Sequence, residues 1–270
     1  MPKRIVALSL MFVSVVVLSS GARAQLIAPG PSGVVLGHLH LGTKDIETSR
    51  KFWSELGGVA VQNGQLQLIQ LPGTFVMLRQ AQQLSGGSDG STVERIVLRV
   101  RVGDVLDLMR RLAVFTGAEP AAVVTSPEGL SIELRGAQSQ DVPTRMERIV
   151  FQSTAPTEMR DWYVKTFGAE PSSLPTSGPN VGSTIQASLP GLLMQFRKVE
   201  TAPAGTRGRG LDHIGFEVKQ LEAFCKKLES SGQKLDRPYT KLPNSETAIA
   251  FLTDPWGTYI ELTENLAPRQ

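Results

Sequence analysis

The chain has 270 residues, 41% of them hydrophobic, with 28 basic and 25 acidic side chains and a net charge of +3. That length suits one or two packed domains, and the balanced charge, without basic runs, excludes the electrostatic footprint of a nucleic-acid or anionic-lipid binder. Small molecules are the default partner, and a lone Cys225 excludes an internal disulfide framework.

The N-terminus opens with Lys3 and Arg4, continues through an apolar run over 5–18, and closes on the small-x-small triplet Ala22-Arg23-Ala24. That order predicts a secretory signal peptide over residues 1–24, cleaved after Ala24. The run is shorter than the roughly 20 residues that a membrane-spanning helix needs. The mature protein is expected to begin at Gln25, to be free of the membrane, and to be periplasmic or secreted. Loss of Lys3, Arg4 and Arg23 leaves the mature chain near neutral.

Beyond residue 33 the chain repeats itself. The first unit, 34–80, begins with an alternating strand through His38 and His40, continues with the helical segment ETSRKFWSELGG, and ends in the turn and strand LPGTFVMLR. A Ser/Gly-rich link leads to the second unit, 93–136, which carries the strand VERIVLRVRV, the helical run VLDLMRRLAVFTGAEP and the turn and strand SPEGLSIEL. The third unit, 146–198, repeats the first at an offset of 110 residues, which puts Phe52-Trp53 on Trp162-Tyr163 and Gly58 on Gly168, and at a slightly larger offset LPGTFVMLR lies over LPGLLMQFR. The fourth unit, 210–264, repeats the second, with DPWGTYIEL over SPEGLSIEL at an offset of 128 residues. Each unit therefore predicts a βαβββ module, and the aromatic pairs on the helices predict core packing. The fold expected is α+β, with a domain of modules 34–80 and 93–136 and a domain of modules 146–198 and 210–264. Paired modules would form curved sheets that enclose a small-molecule cleft.

Four such modules, helices bearing the aromatic pairs FW and WY, the LGG that ends the first of them, and the strand announced by DPWGTYIEL resemble the vicinal oxygen chelate superfamily, which includes glyoxalases, bleomycin resistance proteins and extradiol dioxygenases. The resemblance covers nearly all of the chain beyond the signal segment. It implies metal ligands at two positions per module, the centre of the first strand, often His, and the middle of the last, often Glu. Transferred by register, these are His38 and Met77 in module one, Arg95 and Glu133 in module two, Arg148 and Gln195 in module three, and His213 and Glu261 in module four. His40 shares a strand face with His38, so either can point inward, and register favours His38. Arg is not a metal ligand.

Which modules share a cleft decides the chemistry. Neighbour pairing, one with two and three with four, gives each cleft an Arg beside a His and a carboxylate, which suits a metal-free binding or sequestering protein. Pairing one with four and two with three gathers His38, His213 and Glu261, a set for a divalent Fe, Mn, Ni or Zn ion. The segregation of all three His residues in modules one and four favours the second arrangement. Tyr259, two residues before Glu261, is expected on the same face as a hydrogen-bond donor in catalysis. The resemblance then implies a metal-dependent dioxygenase, lyase or isomerase acting on a small oxygen-chelating substrate. With Met77 in place of a fourth ligand, and with export separating the protein from cytoplasmic glutathione adducts, the expectation tilts toward oxygenase chemistry.

Overall fold

A computed structural model of the chain describes residues 26–267, apart from 65, 118–121, 139–143 and 173–184. The expected signal peptide and its cleavage after Ala24 lie outside the described residues.

Module one runs β1 (Val34–Thr43), α1 (Ile46–Glu55), β2 (Val59–Asn63), β3 (Leu66–Leu71) and β4 (Thr74–Gln80). Module two runs β5 (Val93–Arg101), α2 (Val105–Thr116), β6 (Val123–Thr125) and β7 (Ser131–Ala137), one strand fewer than expected among the described residues. Module three follows as β8 (Thr144–Ser153), α3 (Pro156–Phe167), β9 (Glu170–Ser172), β10 (Ile185–Leu189) and β11 (Leu192–Lys198). Module four is β12 (Leu211–Val218), α4 (Leu221–Ser230), β13 (Leu235–Lys241), β14 (Ala248–Thr253) and β15 (Tyr259–Glu264).

Local chemistry sets the helix ends. The Asp45 carboxylate accepts the Thr48 amide hydrogen at 3.0 Å and caps the start of α1. Pro156 occupies the first turn of α3, and the helix stops at Gly168, whose φ of 67° is a left-handed conformation that costs glycine little. The repeated aromatics fill the core as expected: Phe52, Trp53, Tyr163 and Phe167 are buried, and Trp162 packs at its edge. Each such burial stabilises the fold by about 2–3 kcal/mol. The Tyr163 hydroxyl donates to the Asp254 carboxylate at 3.1 Å and so ties module three to the turn before β15.

The sheets correct the expected domain organisation. The first has the order β13-β14-β15-β12-β1-β4-β3-β2, and the second β6-β7-β5-β8-β11-β10-β9. Modules one and four thus share one sheet through the antiparallel pair β1–β12, and modules two and three share the other through β5–β8. The sequence-contiguous pairs 34–136 and 146–264 do not form the two sheets. The short connection from β7 to β8 makes modules two and three neighbours, as short connections commonly do. The links before β5 and before β12 then run side by side, joined by the Thr92 amide on the Ala204 carbonyl at 2.9 Å. The main apolar core runs continuously across both sheets.

The two sheets correspond residue for residue. In the first, His38 pairs with Gly215, His40 with His213, Gly215 with Glu261 and His40 with Met77. In the second, Arg148 pairs with Val97, Val150 with Arg95, Val97 with Glu133 and Val150 with Gln195. His38, His213, Glu261 and Met77 therefore stand where Arg148, Arg95, Glu133 and Gln195 stand in the other sheet.

Candidate metal centre

Alternation along β1, β12 and β15 carries His38, His40, His213 and Glu261 to one face of the first sheet. Their ligand atoms all lie within 4.8 Å of one another. The Nε2 atoms of His38 and His213 each lie 2.9 Å from the same Glu261 oxygen, Oε2. His38, His213 and Glu261 are buried, and His40 is partly so. The sequence-predicted triad is thus brought together, and His40 joins it as a fourth donor. Met77, taken in the sequence as the occupant of the fourth-ligand position, lies beside His40 in β4 but packs toward Leu68, Phe75 and Leu266.

The approach of His38 to Glu261 depends on a residue without a side chain. Gly215 lies between them in the sheet, paired with His38 on one side and Glu261 on the other. A Cβ there would stand 2.1 Å from His38 Nδ1, inside the imidazole ring's own space. Its position two residues after His213, on the same face, is the only sequence signal for it.

Asp212 is a second residue that the sequence did not single out. Its Oδ1 lies 2.7 Å from His213 Nδ1, and its Oδ2 accepts the Gly208 amide hydrogen at 2.7 Å. Donation of Nδ1–H to Asp212 fixes the His213 tautomer so that Nε2 faces the centre, the usual support for a metal-bound imidazole. Burial works against charge on His213, but its bonds to Asp212 and Glu261 outweigh burial and raise its pKa. Glu261 is held well below the ordinary carboxylate range despite burial, by hydrogen bonds from His213 and His38. Burial, helped by the neighbouring His213 and His38, pushes His40 down to about 3 and keeps it neutral.

These residues fit a divalent ion. Three imidazoles and one ionised carboxylate form a mixed nitrogen and oxygen set suited to Fe, Mn, Ni or Zn. The Nδ1 atoms of His38 and His40 are buried without a hydrogen-bond partner. A glycine cradle keeps one ligand ring in place. Tyr259 shares the face, its ring 5.5 Å from that of His213 and stacked on Phe251 at 5.1 Å. Partial burial raises the Tyr259 pKa, so its hydroxyl keeps its proton.

The equivalent positions of the second sheet hold an ion-pair network. Arg95 donates to Glu133 at 2.9 Å and to Glu94 at 2.7 Å, while Arg148 donates to Gln195 at 2.6 Å and to Glu147 at 3.2 Å. No metal-ligating set occurs there among the described residues.

Comparison with known proteins agrees with this architecture. The family model for the Glyoxalase/Bleomycin resistance protein/Dioxygenase superfamily matches residues 145–262. A curated relative, "Probable lactoylglutathione lyase" of Synechocystis, is 35% identical over 57 residues, 21% of this chain and 44% of that protein. This chain thus spans less than half the length of that relative. Among solved structures, glyoxalase I of Zea mays aligns with a TM-score of 0.62 at 16% identity, covering 86% of this chain and 92% of that one. A "putative dioxygenase" of Bacillus subtilis aligns with a TM-score of 0.65 at 15% identity, covering 91% and 87%. At such identities the structures establish the fold alone. The C-terminal half, residues 145–262, thus matches the glyoxalase, bleomycin resistance protein and dioxygenase superfamily, and the chain as a whole has the fold of these two structures.

Proposed function

We propose that the protein is a metal-dependent enzyme whose single centre is His38, His40, His213 and Glu261, and that its substrate chelates the ion through two adjacent oxygens. The convergence of four ligand atoms within 4.8 Å carries this reading. A divalent ion held there would act as a Lewis acid toward the substrate oxygens. His38, His40 and His213 would hold it through ring nitrogens, and Asp212 orients His213. Phe251 and the Tyr259 ring form an apolar wall that excludes water from one side of the centre. The Tyr259 hydroxyl, on the same face, donates a hydrogen bond to a substrate oxygen as charge develops on it.

Donor number bears on the reaction. Four protein ligands would leave a six-coordinate ion two positions, enough for a bidentate substrate, whereas a dioxygenase would need a third for oxygen, as two-His-one-carboxylate sites provide. His40 therefore shifts the balance from oxygenase toward lyase or isomerase chemistry, in line with the name of the Synechocystis relative. The dioxygenase reading requires His40 to stay off the ion. The metal-free sequestering reading has its support in the Arg residues of the second sheet, and their ion pairs weigh against a free cleft there.

Export belongs to the same proposal, supported by the order of charges and apolar residues over 1–24. Sequencing of the exported protein should begin at Gln25. The metal reading is tested by reconstituting the full chain with Fe(II), Mn(II), Ni(II) or Zn(II) and screening 2-oxoaldehyde thiol adducts and catechols. Turnover that needs metal and is lost in His213→Ala supports it, and turnover indifferent to chelator contradicts it.

A further inference from the structure

Arg207 stands at the rim of the centre without an ionic partner among the described residues. Its guanidinium carbon lies 4.6 Å from the centroid of the Tyr259 ring, over its face. Among the described residues no carboxylate comes within ion-pair distance of it. The acids nearby are engaged elsewhere: Asp212 with His213 and the Gly208 amide, Asp236 with the Thr253 hydroxyl, and Glu261 with two imidazoles. Arg79, another cation on this side, faces Asp212 at 3.7 Å.

The loop that presents Arg207 is pinned on both sides. The Thr206 amide donates to the Gly257 carbonyl at 3.0 Å, and the Thr206 hydroxyl accepts the Tyr259 amide hydrogen at 2.9 Å. The Arg209 amide donates back to the Thr206 carbonyl at 3.0 Å. Gly205 packs so closely on the same turn that a Cβ would stand 2.7 Å from the Gly257 carbonyl oxygen. An unpaired cation held by an ordered backbone loses little freedom when it meets an anion.

The second sheet carries the same loop with opposite charge. There the Ser88 amide donates to the Gly129 carbonyl at 2.8 Å and the Ser131 amide donates to Ser88 Oγ at 2.9 Å, the counterparts of the Thr206 bonds. The residue equivalent to Arg207 is Asp89. The loop backbone therefore does not demand a guanidinium. Around the centre, Glu261, Asp212 and Asp236 oppose Arg79 and Arg207, so a bound divalent ion would still leave an excess of positive charge that favours anionic ligands.

We infer that the substrate carries an anionic group, a carboxylate being the simplest, in addition to its two chelating oxygens, and that Arg207 binds that group. This rests on the metal-centre reading. It makes Arg207 a specificity determinant rather than a part of the chemistry.

The test uses the full chain loaded with Zn(II) and two probes that chelate through the same pair of oxygens, benzohydroxamate and its 3- or 4-carboxy derivative, with affinities measured by calorimetry. At a partly exposed site the carboxylate should tighten binding about tenfold. That preference should vanish in Arg207→Gln and persist in Arg160→Gln, a control on the far-lying α3 whose partner is Asp161. Equal affinity of the probes for the native protein, or an unchanged preference in Arg207→Gln, overturns the inference alone. Failure of benzohydroxamate itself to bind the Zn(II)-loaded protein better than the metal-free protein overturns the metal reading and this inference with it.

Discussion

Apart from the edge strand β13, the two sheets share one strand order and one register yet hold different chemistry, and the difference lies in a few side chains. On the floor of the first sheet β12 presents His213, Gly215 and Glu217; on the second, β5 presents Arg95, Val97 and Arg99 at the same positions. Gly215 lets the His38 ring cross above β12 to within 2.9 Å of Glu261. Val97 occupies that passage in the second sheet, where Glu133 pairs with Arg95 and Arg135 while Arg148 turns to Gln195 and Glu147. One sheet thus has buried imidazole nitrogens without partners, and the other has guanidinium groups that share carboxylates. Duplication of a fold duplicates the scaffold, and the residue between two ligands decides whether they meet.

The comparison breaks most sharply at Gly215. Gly215→Val, which gives the first sheet the residue of the second, should displace His38 and lower Zn(II) affinity by more than about 100-fold. It should also cost about 1–3 kcal/mol of stability through overpacking. Chelator competition and thermal unfolding read the two effects separately, and native-like affinity in this variant contradicts the cradle. Asp212→Asn removes the charged partner of His213 Nδ1 without changing shape. It should weaken metal binding by about 10- to 100-fold, the range for such supporting carboxylates, with little change in unfolding temperature.

The reverse exchange sharpens the same contrast. Arg95→His, Val97→Gly and Arg148→His together place two imidazoles and Glu133 in the second sheet at the register of His213, His38 and Glu261. A second equivalent of Zn(II) is expected in the combined variant. Binding of only one equivalent in a folded variant would show that register and a gap are not sufficient.

The smallest effect is on stability against pH. Burial pushes Glu217, on the same floor, up to about 7, although the Thr263 hydroxyl and the Leu266 amide donate to it. The folded state therefore holds this proton more tightly than the unfolded chain, whose carboxyl titrates near 4.5. Stability from this group is fully present below that value and is lost as pH rises through about 7. Glu217→Gln should flatten the decline over that window and gain about 1–3 kcal/mol above it. Denaturant titrations at pH 5 and pH 8 check the sign, and an unchanged slope would count against a raised Glu217.

The module order, the helix-ending glycines and the aromatic core were legible because each leaves a local pattern: an alternating strand, a helical spacing, a turn. The triad of His38, His213 and Glu261 was legible through the repeat register, which needs no tertiary information. Sheet membership was legible only indirectly, through the segregation of the three His residues in modules one and four, since the strand patterns themselves let β1 pair with either β5 or β12. His40 was weighed only as a rival of His38, because same-face alternation cannot say that two residues of one strand will both reach the same point. Gly215 and Asp212 were missed for a related reason. A glycine between ligands and a carboxylate next to a His acquire meaning only when the opposing strand is in place.

Elemental analysis of the full chain after reconstitution with Zn(II) or Ni(II) and removal of excess metal tests the central claim most directly. The four-donor centre predicts one equivalent per chain in the native protein, and far less in His213→Ala. Absence of bound metal in the native protein, or an undiminished equivalent in His213→Ala, would contradict it.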